Sequence, residues 1–281
     1  MHDDADGLPP LREVIKELQL SARKSLGQNF ILDLNLTRRI ARSAPKIKES
    51  CIVEIGPGPG GLTRALLSEG AKKVIAIEKD KRCLPALEEI AQSYPDQLDV
   101  YNDDALELDI TQYIQGPAQI VANLPYSVGT ALLINWLQTE PWPPWFSCLT
   151  LMFQREVAER LVAKPNTKSY GRLSVLTHFR TTPRILFHLP ARAFTPPPKV
   201  DSTLVQLIPH NKMNTHCSVA HLEQVTSAAF GQRRKMLRQS LRTISSNPLC
   251  LLEAANIDPS LRAENIDIEG YNRLALALSK Q

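Results

Sequence analysis

Four consecutive residues, Asn123-Leu124-Pro125-Tyr126, set an amide, a conformationally fixed peptide and an aromatic ring directly after the apolar run Ala118–Ala122. That combination suits one kind of chemistry. An exocyclic amine on a nucleobase is a poor nucleophile because its lone pair is delocalised into the ring. Two acceptors gripping its two hydrogens orient the nitrogen and favour a more tetrahedral geometry. The Asn123 side-chain oxygen and the Leu124 carbonyl could supply them, with Pro125 fixing the backbone so that the carbonyl faces the site. Tyr126 offers a face for the base, worth ~1–3 kcal/mol by analogy with single-strand stacking. The plainer reading is an ordinary strand-to-helix turn with a buried amide.

A second candidate site is Glu54-Ile-Gly-Pro-Gly-Pro-Gly-Gly61, in which Gly56, Gly58 and Gly61 satisfy GxGxxG and Glu78 follows near the end of the next apolar run. The pattern alone fits a dinucleotide site with its ribose-binding acid, and equally the loop of an S-adenosylmethionine site. The prolines separate the two. A diphosphate is held by backbone N–H groups, and Pro57 and Pro59 have none. Glu54, Glu78, Asp103 and Asp104 make the same rim acidic. A donor-poor, negative rim suits a sulfonium cation with a free amine and a ribose diol. Glu78 is then the acceptor for the ribose hydroxyls and Asp104 for the adenine amine. A sulfonium is an excellent leaving group, so neither a metal nor a strong base is required, and catalysis is mainly alignment and electrostatics.

These residues need strands to hold them at one edge. Short β-branched runs at 51–55, 73–78, 98–102, 118–123 and 148–153 alternate with helical stretches, which predicts a mostly parallel sheet covered on both faces. The runs at 184–189 and 202–208 follow one another across a Pro-rich link and predict an antiparallel edge. From Asn211 to Ser218 the chain reads as a linker, and the remainder is helical without strand signals. The expected organisation is a Rossmann-like α/β domain over residues 1–210, with an N-terminal flap over about 11–50, plus a small all-helical domain over 211–281.

Composition narrows the classes further. The 281 residues are 43% hydrophobic and 22% charged, in the ordinary range for a soluble globular chain. No apolar run approaches the ~20 residues of a membrane span. The N-terminus MHDDADGLPP is acidic and lacks the apolar segment of a secretory leader. Five scattered cysteines without a CxxC pair suit a reduced cytoplasmic protein without structural zinc. The net charge of +4 is mild, but Gln232–Arg242 carries five cations and no anion, and residues 11–48 are also rich in Lys and Arg. Solvated helix faces would explain one such run. Two of them point to nucleic acid, because clustered cations neutralise phosphates.

SLGQNFILD (25–33), EIGPGPGGLT (54–63), NLPY (123–126), FTPPPKVDS (194–202) and FGQRRKMLRQSL (230–241) occur together in this order. On these motifs the chain resembles, essentially end to end, the bacterial small-subunit ribosomal RNA adenine dimethyltransferases. The resemblance implies S-adenosylmethionine-dependent conversion of two adjacent adenines near the RNA 3′ end to N6,N6-dimethyladenine, in a hairpin, late in assembly of the small ribosomal subunit. It implies that Asn29, Ile31, Gly56, Glu78, Asp104 and Asn123 contact the cofactor. Most relatives have Leu at the position of Ile31, a change that a backbone contact survives. Phe194 is expected against the flipped base opposite Tyr126, or else as a hydrophobic plug before an edge strand. Arg233, Arg234 and Lys235, on a basic helix over Gln232–Arg242, are expected to meet the RNA backbone, although not all three fit one helix face. The target base must leave its stack to reach the pocket, and a hairpin loop is where RNA is most readable. The protein is expected to be monomeric and away from membranes. Two alternatives stay open: the sister enzymes that methylate large-subunit RNA and confer antibiotic resistance, and a mainly non-catalytic assembly factor. A nicotinamide oxidoreductase is disfavoured by Pro57 and Pro59.

Overall fold

A computed structural model describes residues 7–23, 27–211 and 217–281. The first six residues of the acidic N-terminus, Ser25 and Leu26 of the SLGQNFILD segment, and most of the linker read at 211–218 lie outside them. The helices are α1 Leu11–Glu17, α2 Leu34–Ala41, α3 Gly61–Ser68, α4 Leu84–Ser93, α5 Tyr126–Leu137, α6 Arg155–Leu161, α7 Arg172–Arg180, α8 Val219–Gly231, α9 Leu237–Ser240, α10 Pro248–Ala254 and α11 Ile268–Leu278. The strands are β1 Phe30–Ile31, β2 Cys51–Ile55, β3 Lys73–Ile77, β4 Leu98–Tyr101, β5 Ala118–Ala122, β6 Phe146–Gln154, β7 Thr181–Leu189, β8 Phe194–Thr195 and β9 Ser202–Pro209.

Seven strands form one sheet in the order β4-β3-β2-β5-β6-β9-β7. Pairing from β4 through β6 is parallel, and β9 lies antiparallel to β6. Strands β2 and β5 are buried at every residue, as a sheet covered on both faces requires. Pro183 sits in β7, the edge strand, where a missing N–H is best tolerated. The order reverses between β2 and β5, which opens a crevice beyond their C-terminal ends, the usual ligand site of such sheets. This is the Rossmann-like α/β arrangement read from the alternating runs, with its antiparallel edge. A second, two-stranded sheet pairs β1 with β8, setting Ile31 opposite Phe194.

The chain divides into two compact units. The first comprises residues 1–136, 144–155 and 185–208; the second comprises 137–143, 156–184 and 209–281. The helical unit is therefore larger than residues 211–281, because α6 and α7 belong with the C-terminal helices. The reason is apolar: α7 packs on α8 and α11, and Tyr170, Phe230 and Tyr271 form a run of ring contacts at 5.7–5.9 Å. Both tyrosine hydroxyls are satisfied, Tyr170 by the Ile266 carbonyl at 2.9 Å and Tyr271 by that of Ala263 at 2.7 Å.

The stretch Gln232–Arg242 is not one helix, contrary to its composition. Helix α8 stops at Gly231, a turn follows in which the Lys235 N–H donates to the Gln232 carbonyl at 2.8 Å, and only Leu237–Ser240 is α-helical again. Tertiary contacts override propensity here. Met236 bridges to Arg262, the Leu237 N–H donates to the Leu261 carbonyl, and Leu237 and Leu241 are fully buried.

Candidate active site

The glycine loop leaves β2 with Gly56, Gly58 and Gly60 at φ of +66°, +58° and +88°. Two of these positions also lack room for a side chain. A Cβ on Gly58 would lie 3.0 Å from the Phe30 ring, and one on Gly60 would lie 2.2 Å from Ile90 Cδ1. The loop is thus closed from above by the N-terminal flap and from below by α4.

Between Gly56 and Gly60 the backbone donors are accounted for. The Gly56 N–H donates to the Ile77 carbonyl at 2.9 Å, that of Gly58 to Glu78 Oε2 at 2.8 Å, and that of Gly60 to the Pro57 carbonyl at 3.1 Å. Pro57 and Pro59 have none. Residues 56 to 60 therefore offer no free amide to a phosphate, which extends the inference drawn from the prolines alone.

Glu78 is 5% exposed and held by two backbone donors, Gly58 on Oε2 and Asp80 on Oε1 at 2.7 Å. Each carboxylate oxygen keeps a second lone pair for a ligand hydroxyl. Burial raises its pKa, while the Asp80 and Gly58 amides pull it back down. Glu54, 1% exposed beside it, accepts from Thr63 Oγ1 at 2.7 Å, and burial raises its pKa to about 8. At neutral pH the second acid is therefore mostly protonated and does not repel Glu78. Asp104 pairs with Lys79 at 2.6 Å and accepts from the Leu106 N–H at 3.0 Å, contacts that hold its carboxyl below the usual carboxylate range.

Asn123 follows β5 and donates from Nδ2 to the Asn29 carbonyl at 3.0 Å. With the donor end so held, Oδ1 is the acceptor left for a ligand. Pro125 begins the turn into α5, its carbonyl accepting the Gly129 N–H at 2.9 Å. The next residue, Tyr126, opens that helix half-buried, its hydroxyl bonded to Ser202.

One pocket gathers Asn29, Ile31, Gly56, Glu78, Asp104, Asn123, Leu124, Pro125 and Tyr126 on its walls. Phe194 is placed elsewhere. It is 2% exposed, paired with Ile31 across the two-stranded sheet and packed in the hydrophobic core with Leu62, Leu66 and Leu189. In this position it packs as a hydrophobic plug beneath the flap and is not on the pocket wall. Arg233, Arg234 and Lys235 lie in the helical unit. Arg233 is engaged internally, with Glu264 at 2.8 Å and the Thr167 carbonyl at 3.2 Å, whereas Arg234 and Lys235 are exposed.

Some contributors had no sequence signal. Asp80, 4% exposed, receives Arg82 on both oxygens at 3.0 and 2.6 Å and Gln28 at 3.0 Å, while Arg82 also donates to the Ser21 carbonyl at 3.3 Å. This cluster ties the flap to the end of β3, and no local pattern in EKDKR announces it. Phe30 and Leu11, both on the pocket wall, are likewise legible only once the flap is folded over the loop.

A model of the family described as ribosomal RNA adenine dimethylase matches residues 19–280. The chain is 58% identical over 276 residues to the ribosomal RNA small subunit methyltransferase A of Azorhizobium caulinodans, covering 98% of this chain and 94% of that one. It is 57% identical to the protein of the same name from Rhizobium etli, covering 96% and 98%. Among solved structures, a dimethyladenosine transferase from Plasmodium falciparum aligns with a TM-score of 0.75 at 26% identity, over 88% of this chain and 96% of that one. The 23S rRNA methyltransferase ErmE aligns with a TM-score of 0.68 at 25% identity, over 89% and 100%. The chain belongs to the ribosomal RNA adenine dimethylase family.

Proposed function

We propose that the protein dimethylates the N6 amines of two adjacent adenines in small-subunit ribosomal RNA, using S-adenosylmethionine. The target on this reading is a hairpin near the RNA 3′ end, within an assembling small ribosomal subunit in the cytoplasm. One observation carries the proposal: a phosphate-averse glycine loop, a fixed Glu78 and the Asn123–Tyr126 turn share a single pocket. The relatives named ribosomal RNA small subunit methyltransferase A support the choice of RNA.

The residues present fit the cofactor. Glu78 would accept from the ribose, Asp104 from the adenine amine, and Gly56, Asn29 and the Ile31 backbone would line its remaining surface. When bound, the cofactor supplies an electrophilic methyl group on a sulfonium. Asn123 Oδ1 and the Leu124 carbonyl hold the two hydrogens of the target amine and turn its lone pair toward the pocket. As positive charge develops on that nitrogen, the same two oxygens stabilise it. Tyr126 carries the base on its face. Arg234 and Lys235 are the exposed cations of the helical unit that meet phosphates.

The test supplies methyl-labelled S-adenosylmethionine with either under-methylated small subunits or large-subunit RNA, followed by nucleoside mass spectrometry. Dimethyladenosine in small-subunit RNA is the expected result. Label confined to large-subunit RNA, or no methylation of either, would overturn the assignment.

A further inference from the structure

The segment FTPPPKVDS ends at Ser202, a residue to which methyl transfer so far assigns no part. Ser202 opens β9 opposite Gln154 and is fully buried. Its Oγ shares a hydrogen bond with the Tyr126 hydroxyl at 2.5 Å. The neighbouring hydroxyl does not compete, because Thr203 Oγ1 is taken by His188 Nδ1 at 2.8 Å. Tyr126 is thus held at both ends, by the helix start at its backbone and by β9 at its phenol oxygen. A tyrosine ring fixed only at Cα turns about two side-chain torsions, and a base stacking on it must first stop that motion. A ring fixed at both ends presents its face ready-made.

We propose that Ser202 is a positioning residue for methyl transfer: it sets the plane of the Tyr126 ring on which the target base stacks. This role rests on the stacking function given to Tyr126 under the proposed function. It also gives FTPPPKVDS a single purpose, since the same segment braces two walls of one pocket, the flap through Phe194 against Ile31 and the stacking face through Ser202. Ser202 itself is not on the pocket wall, so its loss acts on RNA turnover and not on the cofactor.

The experiment compares Ser202→Ala, Tyr126→Phe and the double variant, with Thr203→Val as a control for altering a buried hydroxyl on the same strand. Tyr126→Phe keeps the ring and removes only the hydroxyl. Each of the first two should lower kcat/KM for under-methylated small subunits by about fivefold, the usual scale of one hydrogen bond. S-Adenosylmethionine affinity, measured by calorimetry, should stay within about twofold, and the double variant should fall no further than the worse single one, as expected when both changes break one interaction. Thr203→Val should retain wild-type turnover. Unchanged kcat/KM in Ser202→Ala, multiplied losses in the double variant, or an equal loss in Thr203→Val would each overturn the role. A wild-type protein inactive on small subunits would overturn the proposed function, and this role with it. An active wild type with an unaffected Ser202→Ala variant would overturn the role alone.

Discussion

Glu54 titrates in a direction that its surroundings fix. The carboxyl is 1% exposed, with Thr63 Oγ1 at 2.7 Å as its hydrogen-bond donor and Glu78 as the neighbouring acid. Burial lifts its pKa from an ordinary 4.5 to about 8; the Thr63 hydrogen bond pulls it down and Glu78 pushes it further up. The folded state therefore holds this proton more tightly than the unfolded chain does. Below the unfolded value Glu54 costs nothing. As pH rises through the window between the two values, folding stability falls by up to about 1.4 kcal/mol per unit, and the loss levels off above the folded value. Summed over the window, the penalty is on the order of 3–5 kcal/mol. Glu54→Gln keeps the shape and an acceptor for Thr63 but cannot titrate. Urea unfolding from about pH 5 to pH 8.5 should give a difference curve that climbs in favour of the variant across that window. Groups common to both proteins cancel in that difference. Curves that stay parallel throughout would refute the burial argument.

Asp80→Asn tests the cluster that ties down the flap. Arg82, then Gln28, hold the Asp80 pKa at about 2 against an ordinary 3.8. Its stabilisation, about 2 kcal/mol, is complete above the unfolded value and disappears as pH falls through the folded one. Melting temperatures should therefore differ at pH 7 and converge near pH 2, and cofactor affinity should fall because Gln28 and Arg82 then compete for a single acceptor oxygen. Phe194→Ala should cost about 3–5 kcal/mol by opening a cavity in the core and should weaken cofactor binding through Ile31; a variant of native stability with only RNA turnover impaired would restore Phe194 to the target base. In the helical unit, Arg234→Ala and Lys235→Ala should each reduce the salt dependence of RNA binding by about one charge. Arg233→Ala should leave that slope nearly unchanged and cost under about 1 kcal/mol of stability, because its partly exposed guanidinium already pairs with Glu264.

The sheet and its crevice are legible in the sequence because buried parallel strands write themselves as apolar runs, and because Gly56, Glu78 and Asn123 each close such a run. The pocket residues that come from those strand ends, and from QNFI in the flap, all meet on one wall system. Phe194 lies off the pocket wall, packed in the core. A motif leaves open whether an aromatic ring faces a ligand or the core, and the placement of Phe194 comes from the pairing of β1 with β8. The basic run reads as a helix because Arg, Lys, Leu and Gln all favour one locally, while the contacts that break it come from Leu261, Arg262 and Glu264. The Asp80–Arg82–Gln28 cluster leaves no trace in the sequence, since it joins residues about fifty positions apart with no periodicity to mark them. Composition likewise places a boundary near residue 210 but cannot show that α6 and α7 belong with the helices beyond it.

Because the backbone passes between the two units five times, neither unit is a continuous length of chain. During synthesis, α7 emerges long before α8 and α11, the helices that pack on it. Val175 and Phe179, on α7, are buried in the finished protein, where those two helices pack on α7. A chain stopped near residue 210 would keep these apolar faces and lose their partners, which makes it a candidate for aggregation rather than a free-standing catalytic fragment. Exchanging the helical unit between relatives would require three matched segments, two of them internal, instead of one tail swap. Helix α11 thus closes over a helix, α7, that is made far earlier in the chain.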